Sequence, residues 1–331
     1  MTIGINLRKI HLKPRGKNSK VAYQWHCLMH RLAPTWWLRQ RYQELLQSLE
    51  TRTDKDYIFN RVAYYCKLTE QTHIDGHYVI GLMHTNLGGA RNYYRDFFEY
   101  SRFFNPSLKV DCAFYDNIEI PMTASILKSR PIGNNNVNCV VCNLDKVRHF
   151  IFIKDKHSYE AKKNKAIFRG AAHQPHRQAF MRMYFGSDWV DCGHTGTRVI
   201  DPKWSKPEIT LYDHLKYKFI VSLEGNDVAS NLKWVMSSNS IAVMPKPKYE
   251  TWFMEGTLIP NYHYIEIKDN YSDLPERLQY YIDHPEEAKE IIQHAHDYVK
   301  QFQDKDREDL IHLLVLRKYF SYTNPGMTLM K

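Results

Sequence analysis

The stretch Phe219-Ile-Val-Ser-Leu-Glu224-Gly225-Asn226-Asp227-Val228-Ala229-Ser230-Asn231-Leu-Lys233-Trp234 decides the fold. Its first five residues are uncharged and mostly apolar, which reads as a strand buried on both faces. The run Ala229–Ser237 reads as a helix. Between them Gly225 permits a tight turn and close backbone approach. Asn226 and Asp227 are suited to cap the helix. Strand, polar turn and helix together make the unit of a parallel sheet, and such sheets bind ligands beyond the carboxyl ends of their strands. Free N–H groups of that first turn can hold a diphosphate or ribose hydroxyls, with Glu224, Ser230 and Lys233 beside them.

The same alternation extends in both directions. Strands are predicted at His77–His84, Lys109–Tyr115, Val137–Cys142, Phe150–Ile153, Ala166–Arg169, Trp189–Cys192, Phe219–Leu223, Ile241–Met244 and Tyr264–Ile267. Helices are predicted at Trp36–Leu49, Tyr57–Leu68, Ala90–Phe104, His176–Tyr184, Leu211–Tyr217, Ala229–Ser237, Asp273–Ile282, Glu286–Phe302 and Arg307–Phe320. The pattern implies two Rossmann-like α/β domains, and 331 residues suit two such units. The polar run Lys154–Lys165 marks the boundary, giving residues 1–155, 156–305 and a C-terminal helical piece, 306–331.

Two further strand-to-turn junctions carry chemistry. In Ile167-Phe168-Arg169-Gly170-Ala171-Ala172-His173-Gln174-Pro175-His176-Arg177, a strand meets small residues and then a Pro at a helix start. Arg169 and Arg177 flank that turn, and guanidinium groups bind phosphate oxygens as a fork. The alternative is that Arg169 pairs with a buried carboxylate and Arg177 lies on the surface. In Val110–Pro121, Asp116 and Glu119 follow a strand, where a carboxylate facing an interdomain cleft can act as general base. Either acid can equally be a loop cap.

The formal net charge is +10, and residues 1–43 hold nine Lys or Arg and no Asp or Glu. Trp25, Trp36 and Trp37 share that stretch. Basic and aromatic residues together suit an anionic membrane face or an anionic glycan. No run approaches the about 18 apolar residues of a membrane span, and neither a signal-peptide core nor a retention signal is present. A cytoplasmic protein is expected, with at most peripheral contact with the inner membrane face. Six scattered cysteines read as small core residues, and Cys139-x-x-Cys142 lacks two further zinc ligands. The Asp-x-Asp pairs Asp54/Asp56 and Asp304/Asp306 sit in polar helix-flanking sequence, so no metal or other cofactor is expected.

At these junctions the chain resembles glycosyltransferase family 90, which includes Rumi-type protein O-glucosyltransferases, fungal capsule xylosyltransferases and bacterial lipopolysaccharide glycosyltransferases. The resemblance is carried by Lys128-Ser-Arg-Pro-Ile132, Asn143–Phe150, Phe168-Arg-Gly170 with Arg177, Tyr217–Trp234, Met244–Trp252 and Asn261–Tyr264. The wording is nearest the lipopolysaccharide branch. The resemblance implies a GT-B fold, with two Rossmann-like domains facing a cleft and C-terminal helices packing back. It implies inverting, metal-independent transfer of a hexose, glucose or galactose, from a UDP-sugar co-substrate to a lipopolysaccharide core. Arg177 matches the family's diphosphate-binding Arg, and Asn226–Asn231 its donor-binding turn. Secretory members carry Arg at the position of Asn231, which leaves Lys233 as the candidate second cation. Asp116 matches the catalytic Asp, but in the context Tyr115-Asp116-Asn117 rather than Gly-Asp-Val, so Glu119 stays a rival. In this mechanism Asp116 takes the acceptor's proton while Arg177, with Arg169 or Lys233, stabilises the leaving diphosphate; Trp252 or Tyr249 packs on the uracil or sugar, or else in the core.

Three other readings compete: a protein O-glycosyltransferase of the same family, a sulfotransferase-like enzyme, and a member that only binds anionic glycan or nucleic acid. Sulfotransferases place their phosphate loop near the N-terminus, whereas these turns follow residue 165. No zinc-finger, RNA-recognition or basic-zipper pattern is present, so nucleic acid is not an expected partner.

Overall fold

The computed structural model describes residues 16–85 and 91–330. Arg8, Lys9, Lys13 and Arg15 of the basic stretch lie outside the described residues. Helices α1 (Lys20–Leu32), α2 (Thr35–Thr51) and α3 (Lys55–Tyr65) come first, then strand β1 (Tyr78–Val79) and helix α4 (Arg91–Ser101). The strand expected over His77–His84 stops after two residues, and Ile80–Thr85 form a 3-10 turn. Its partner β2 (Lys109–Val110) is antiparallel, and Gly81 N–H bonds the carbonyl of Pro106. Proline has no N–H to return, so the ladder ends there.

Two parallel sheets follow. The smaller has the order β3 (Cys112–Ala113), β4 (Ser125–Leu127), β6 (Cys139–Val141). The larger runs β12 (Ile265–Glu266), β10 (Ile241–Met244), β9 (Tyr217–Val221), β7 (Lys163–Gly170), β8 (Val190–His194), all parallel. A two-residue antiparallel pair, β5 (Arg130–Pro131) with β11 (Tyr249–Glu250), ties the loop after β4 to the loop after β10. Helices α5 (Lys146–His149), α6 (Pro175–Tyr184), α7 (Leu211–His214), α8 (Leu232–Met236), α9 (Leu274–Asp283) and α10 (Pro285–Lys300) fill the connections, and α11 (Lys305–Thr323) closes the chain.

This is the mixed α/β architecture with parallel sheets that the sequence implied. One core covers one face of the large sheet with Phe168, Phe180, Val221 and Val243. The other unites the small sheet, α3 and α11 with the opposite face of the large sheet through Ile167 and Ile220. Helix α10 contributes Ile291 to the first and Val299 to the second. Helix α11 returns to the front half of the chain: Glu308 pairs with Arg61 at 3.1 Å, both buried, and Tyr319 Oη donates to the carbonyl of Ala124.

One expectation is corrected here. Phe150–Ile153 pairs with no strand; it is an extended segment whose Phe150 stacks on Trp252 at 4.1 Å. The polar run Lys154–Lys165, where the sequence places the domain boundary, is held in place, because Lys162 Nζ meets Asp155 at 2.7 Å with both side chains buried.

Candidate active site

Each strand of the small sheet delivers one part of the site from its carboxyl end. Asp116 follows β3, Lys128 follows β4 at once, and Asp145 with Arg148 follows β6. The large sheet does likewise: Gly170–Arg177 follows β7, Leu223–Asn231 follows β9 and Pro245–Tyr249 follows β10. The two sets of carboxyl ends meet at Lys128. Its ammonium, fully buried, lies 2.5 Å from Asp116 Oδ1 and 2.6 Å from Asp227 Oδ2. Ser129 Oγ also donates to Asp227, at 2.5 Å. Asn226 Nδ2 reaches Asp116 Oδ2 at 3.5 Å. The carboxylate of one sheet thus faces the Gly225 loop of the other.

Asp116 also accepts from Tyr93 Oη and from Arg148 Nη2, each at 3.1 Å. Burial pushes its pKa up, but Lys128 and then Arg148 and Tyr93 outweigh it and hold the group at about 2. Arg148 Nε is held by Asp145 at 2.6 Å, and Asp145 sits in the left-handed region at φ 59°, where Asp is tolerated better than most residues. Glu119 is exposed, and its backbone carbonyl accepts from Asn117. The network includes Asp116 and leaves Glu119 outside.

Arg177 holds the loop after β9 from below. It donates to the carbonyls of Glu224 (2.7 Å), Ala171 (2.8 Å) and Leu223 (2.7 Å). A guanidinium has five N–H groups, so two remain. Among the described residues Arg177 has no ion-pair partner, and burial pulls its pKa down to about 10. Gly225 lies beside it: a Cβ there would stand 3.4 Å from Nη2, at van der Waals contact.

Two openings adjoin this loop. The larger, about 670 Å³, is lined by Arg169, Gly170, Ala171, Arg177, Ser230 and Asn231 from one side and by Tyr93 and Arg148 from the other. The smaller, about 240 Å³, is lined by Glu224, Gly225, Asn226, Val228 and Ala229, with Lys246, Tyr249 and Tyr271 opposite. Glu224 Oε1 accepts the backbone N–H of Lys248 and of Tyr249, yet burial raises its pKa to about 7.

Several predicted residues have other duties. Arg169 lines the larger cavity but is neutralised by Asp191 at 2.7 Å, an acid partner as the alternative had it, though a half-buried one. Lys233 is fully buried and bonded to Glu255, so it is not the second cation of the cavity. Helix α8 begins only at Leu232, so Asn226 and Asp227 do not cap it. Their side chains are spent on Gln174, Asp116, Ser129 and Lys128. Trp252 is buried among Phe150, Phe253 and Phe302 rather than offered to a ligand, while Tyr249 borders the smaller pocket. Both Asp-x-Asp stretches flank helices: Asp54 binds Arg52 at 2.6 Å, and Asp304 caps α11. Among the described residues, the His/Cys/Asp/Glu groups close enough for a metal are His26/His30/Glu99 and Asp75/His77/Asp111, neither containing a site residue named above. All six cysteines are free.

Lys128, Arg148 and Tyr93 escape a reading of single motifs. Lys128 and Arg148 stand inside family-like segments, and a Lys directly after the short, mostly apolar stretch Ala124–Leu127 is the one local signal. It marks a cation at a strand's carboxyl end.

Fold and site together define an α/β protein with a half-buried Arg177, free of any acidic partner among the described residues, on a cavity that also holds Tyr93 and Arg148, two of the groups that anchor Asp116. The chain belongs to glycosyltransferase family 90, whose family model matches residues 136–323. It is 36% identical to O-glucosyltransferase LpsA of Dichelobacter nodosus over 304 residues, covering 92% of this chain and 95% of that protein. Protein O-glucosyltransferase 3 of Rattus norvegicus is 29% identical over 168 residues, 49% of this chain and 33% of its own length. Protein O-glucosyltransferase 2 of Danio rerio is 32% identical over 83 residues, 25% of this chain and 16% of its own. The protein is therefore a glycosyltransferase, and among the described residues no helix is long and apolar enough to cross a membrane.

Proposed function

We propose that the chain is an inverting, metal-independent glycosyltransferase of GT-B type. It moves glucose from a UDP-sugar to the core of a lipopolysaccharide or a related anionic glycan, at the cytoplasmic face of the inner membrane. Residues 1–155, completed by 306–331, form the acceptor side, and residues 156–305 the donor side. The observation that carries this reading is Arg177, a half-buried cation with no acidic partner among the described residues, which lines the larger cavity together with Tyr93 and Arg148, two of the groups that hold Asp116. A partly desolvated cation without a carboxylate is costly, and a ligand diphosphate would relieve that cost.

The nucleoside sits in the smaller pocket between the loops after β9 and β10. The diphosphate lies along Gly225–Asn231 against the two remaining N–H groups of Arg177. The sugar carbon then points into the larger cavity, whose volume suits a sugar with part of its acceptor. Asp116 is ionised at every physiological pH. It receives the acceptor proton as the new C–O bond makes the hydroxyl acidic, and the oxygen enters opposite the departing UDP. Fixed positive charge at Arg177 stabilises the leaving group. Glucose is preferred to galactose because the relative matching nearly the whole chain is named as an O-glucosyltransferase. A glycan acceptor is preferred to a protein because the protein O-glucosyltransferases match half of the chain or less.

The test is a thermal-shift panel of UDP-glucose, UDP-galactose, UDP-xylose, UDP-N-acetylglucosamine and UDP, with and without chelator. Every UDP compound is expected to raise the Tm equally in both conditions, UDP-glucose most. A shift that needs added metal contradicts the mechanism, and no shift at all removes the donor assignment.

A further inference from the structure

The inner face of α1 is firmly seated. Tyr23 Oη donates to Asp96 Oδ1 of α4 at 2.8 Å, His26 is buried beside Glu99, and Arg102 Nη2 holds the carbonyl of Ala33 at 2.8 Å. The outer face is the reverse of a soluble helix. Val21, Trp25, Leu28 and Leu32 recur at i, i+4, i+7 and i+11, forming one stripe. They are 60%, 60%, 44% and 67% exposed, and Trp36 at the head of α2 continues the stripe at 67%. Between the two helices lies an apolar hollow of about 210 Å³, lined by Met29, His30, Leu32, Pro34, Trp36 and Trp37. Single exposed apolar residues are ordinary, but a ridge of five large ones is not.

The segment that carries this ridge is basic, although Lys17 meets Glu208 and Arg41 meets Glu44 and Asp306. Lys17, Lys20, Arg31, Arg39 and Arg41 lie in the same stretch of chain, and residues 1–43 contain no acid. Among the described residues Lys20, Arg31 and Arg39 have no acidic partner. An apolar stripe with Trp, in a segment with unpaired cations, complements a bilayer surface carrying anionic headgroups. A protein partner binding this ridge would have to supply acids all around an apolar groove; a bilayer offers both at once.

We propose that the Val21/Trp25/Leu28/Leu32/Trp36 ridge inserts into the headgroup layer of an anionic membrane. Lys17 and Lys20, at the start of α1, also line the larger cavity. Docking by this ridge therefore brings the cavity toward the lipid surface, where an amphiphilic acceptor presents its sugar. The proposal deepens the transfer reading and rests on it for the acceptor, while the membrane contact stands by itself.

Full-length protein is sedimented with vesicles of phosphatidylcholine alone or of phosphatidylcholine and phosphatidylglycerol in equal parts. Wild type binds the anionic vesicles; W25E/L32E binds at least ~10-fold more weakly; I259E, an exposed apolar residue elsewhere, binds as wild type. Failure of wild type to bind, or unchanged binding of W25E/L32E, overturns the proposal. So does a wild-type dimer in light scattering that W25E/L32E converts to monomer without vesicle binding, which would assign the ridge to a second copy. UDP-induced thermal shifts are measured on the same proteins. Their absence from all three sinks the transfer reading alone; their presence beside failed vesicle binding sinks the membrane contact alone.

Discussion

Lys128 has two carboxylates and no contact with water. Its removal acts on chemistry and on folding, and the two effects separate. In K128M, Asp116 loses the main group holding its pKa down, so the acid limb of the kcat–pH profile should rise from about 2 toward the ordinary carboxyl range. The buried Asp227 left unpaired should cost about 3–5 kcal/mol, and K128M/D227N should recover that stability but not the wild-type pH limb. Denaturant melts and pH–rate profiles on both variants check this. Glu224 gives the opposite sign. Its folded pKa of about 7 exceeds the ordinary 4.5, so its contribution to stability is present below 4.5 and is lost as pH rises through 7. E224Q does not titrate, so its Tm should gain on wild type between pH 5 and pH 7.5. A constant gap across that range counts against the assignment. At this scale the sequence was half legible. Asp116 and Arg177 stood out by type and place. Arg169 and Lys233 looked equivalent to Arg177, yet each meets an acid 22 positions onward, Asp191 and Glu255. Local spacing says nothing of a neutralising partner brought in by the next strand or loop.

Among elements, the large parallel sheet was readable because its strands lie in apolar runs separated by helices; Ile241–Met244 has the same limits in sequence and structure. The strands that escaped, β4, β5 and β11, are short and include Ser125, Arg130, Pro131 and Glu250, so no apolar run marks them. Helix α1 escaped for a different reason. Its apolar stripe faces outward and its buried side is made of Tyr23 and His26, so it does not look like a helix with an inward apolar face. Helix α11 was predicted, but its depth was not: Glu308 is wholly buried against Arg61, with Tyr57 and Tyr65 completing that guanidinium's bonds. E308A strands the cation and should destabilise the protein by about 3–5 kcal/mol. E308Q keeps a hydrogen-bonding side chain of the same length and should cost less. Chemical denaturation ranks the two, and equal losses would deny the pair its part in seating α11.

Over the whole molecule, two parallel sheets do not make two independent folding units. Ile167 and Ile220 of the large sheet share a core with Ile58, Val140 and Leu316, and α10 enters both cores. Unfolding should therefore be a single cooperative transition, with equal calorimetric and van't Hoff enthalpies; two resolved heat-absorption peaks would contradict it. The polar run at 154–165 hid this, because a stretch of charge looks like a hinge until Lys162 is seen pinned to Asp155. The bridge at Lys128 carries a further consequence. The sheets cannot part without stripping that ammonium from one of its two anions and wetting it, so the gap behaves as a latched jaw rather than a swinging one. A nucleotide diffusing into a crystal of the empty protein should find its seat already shaped, and the lattice should survive the soak uncracked.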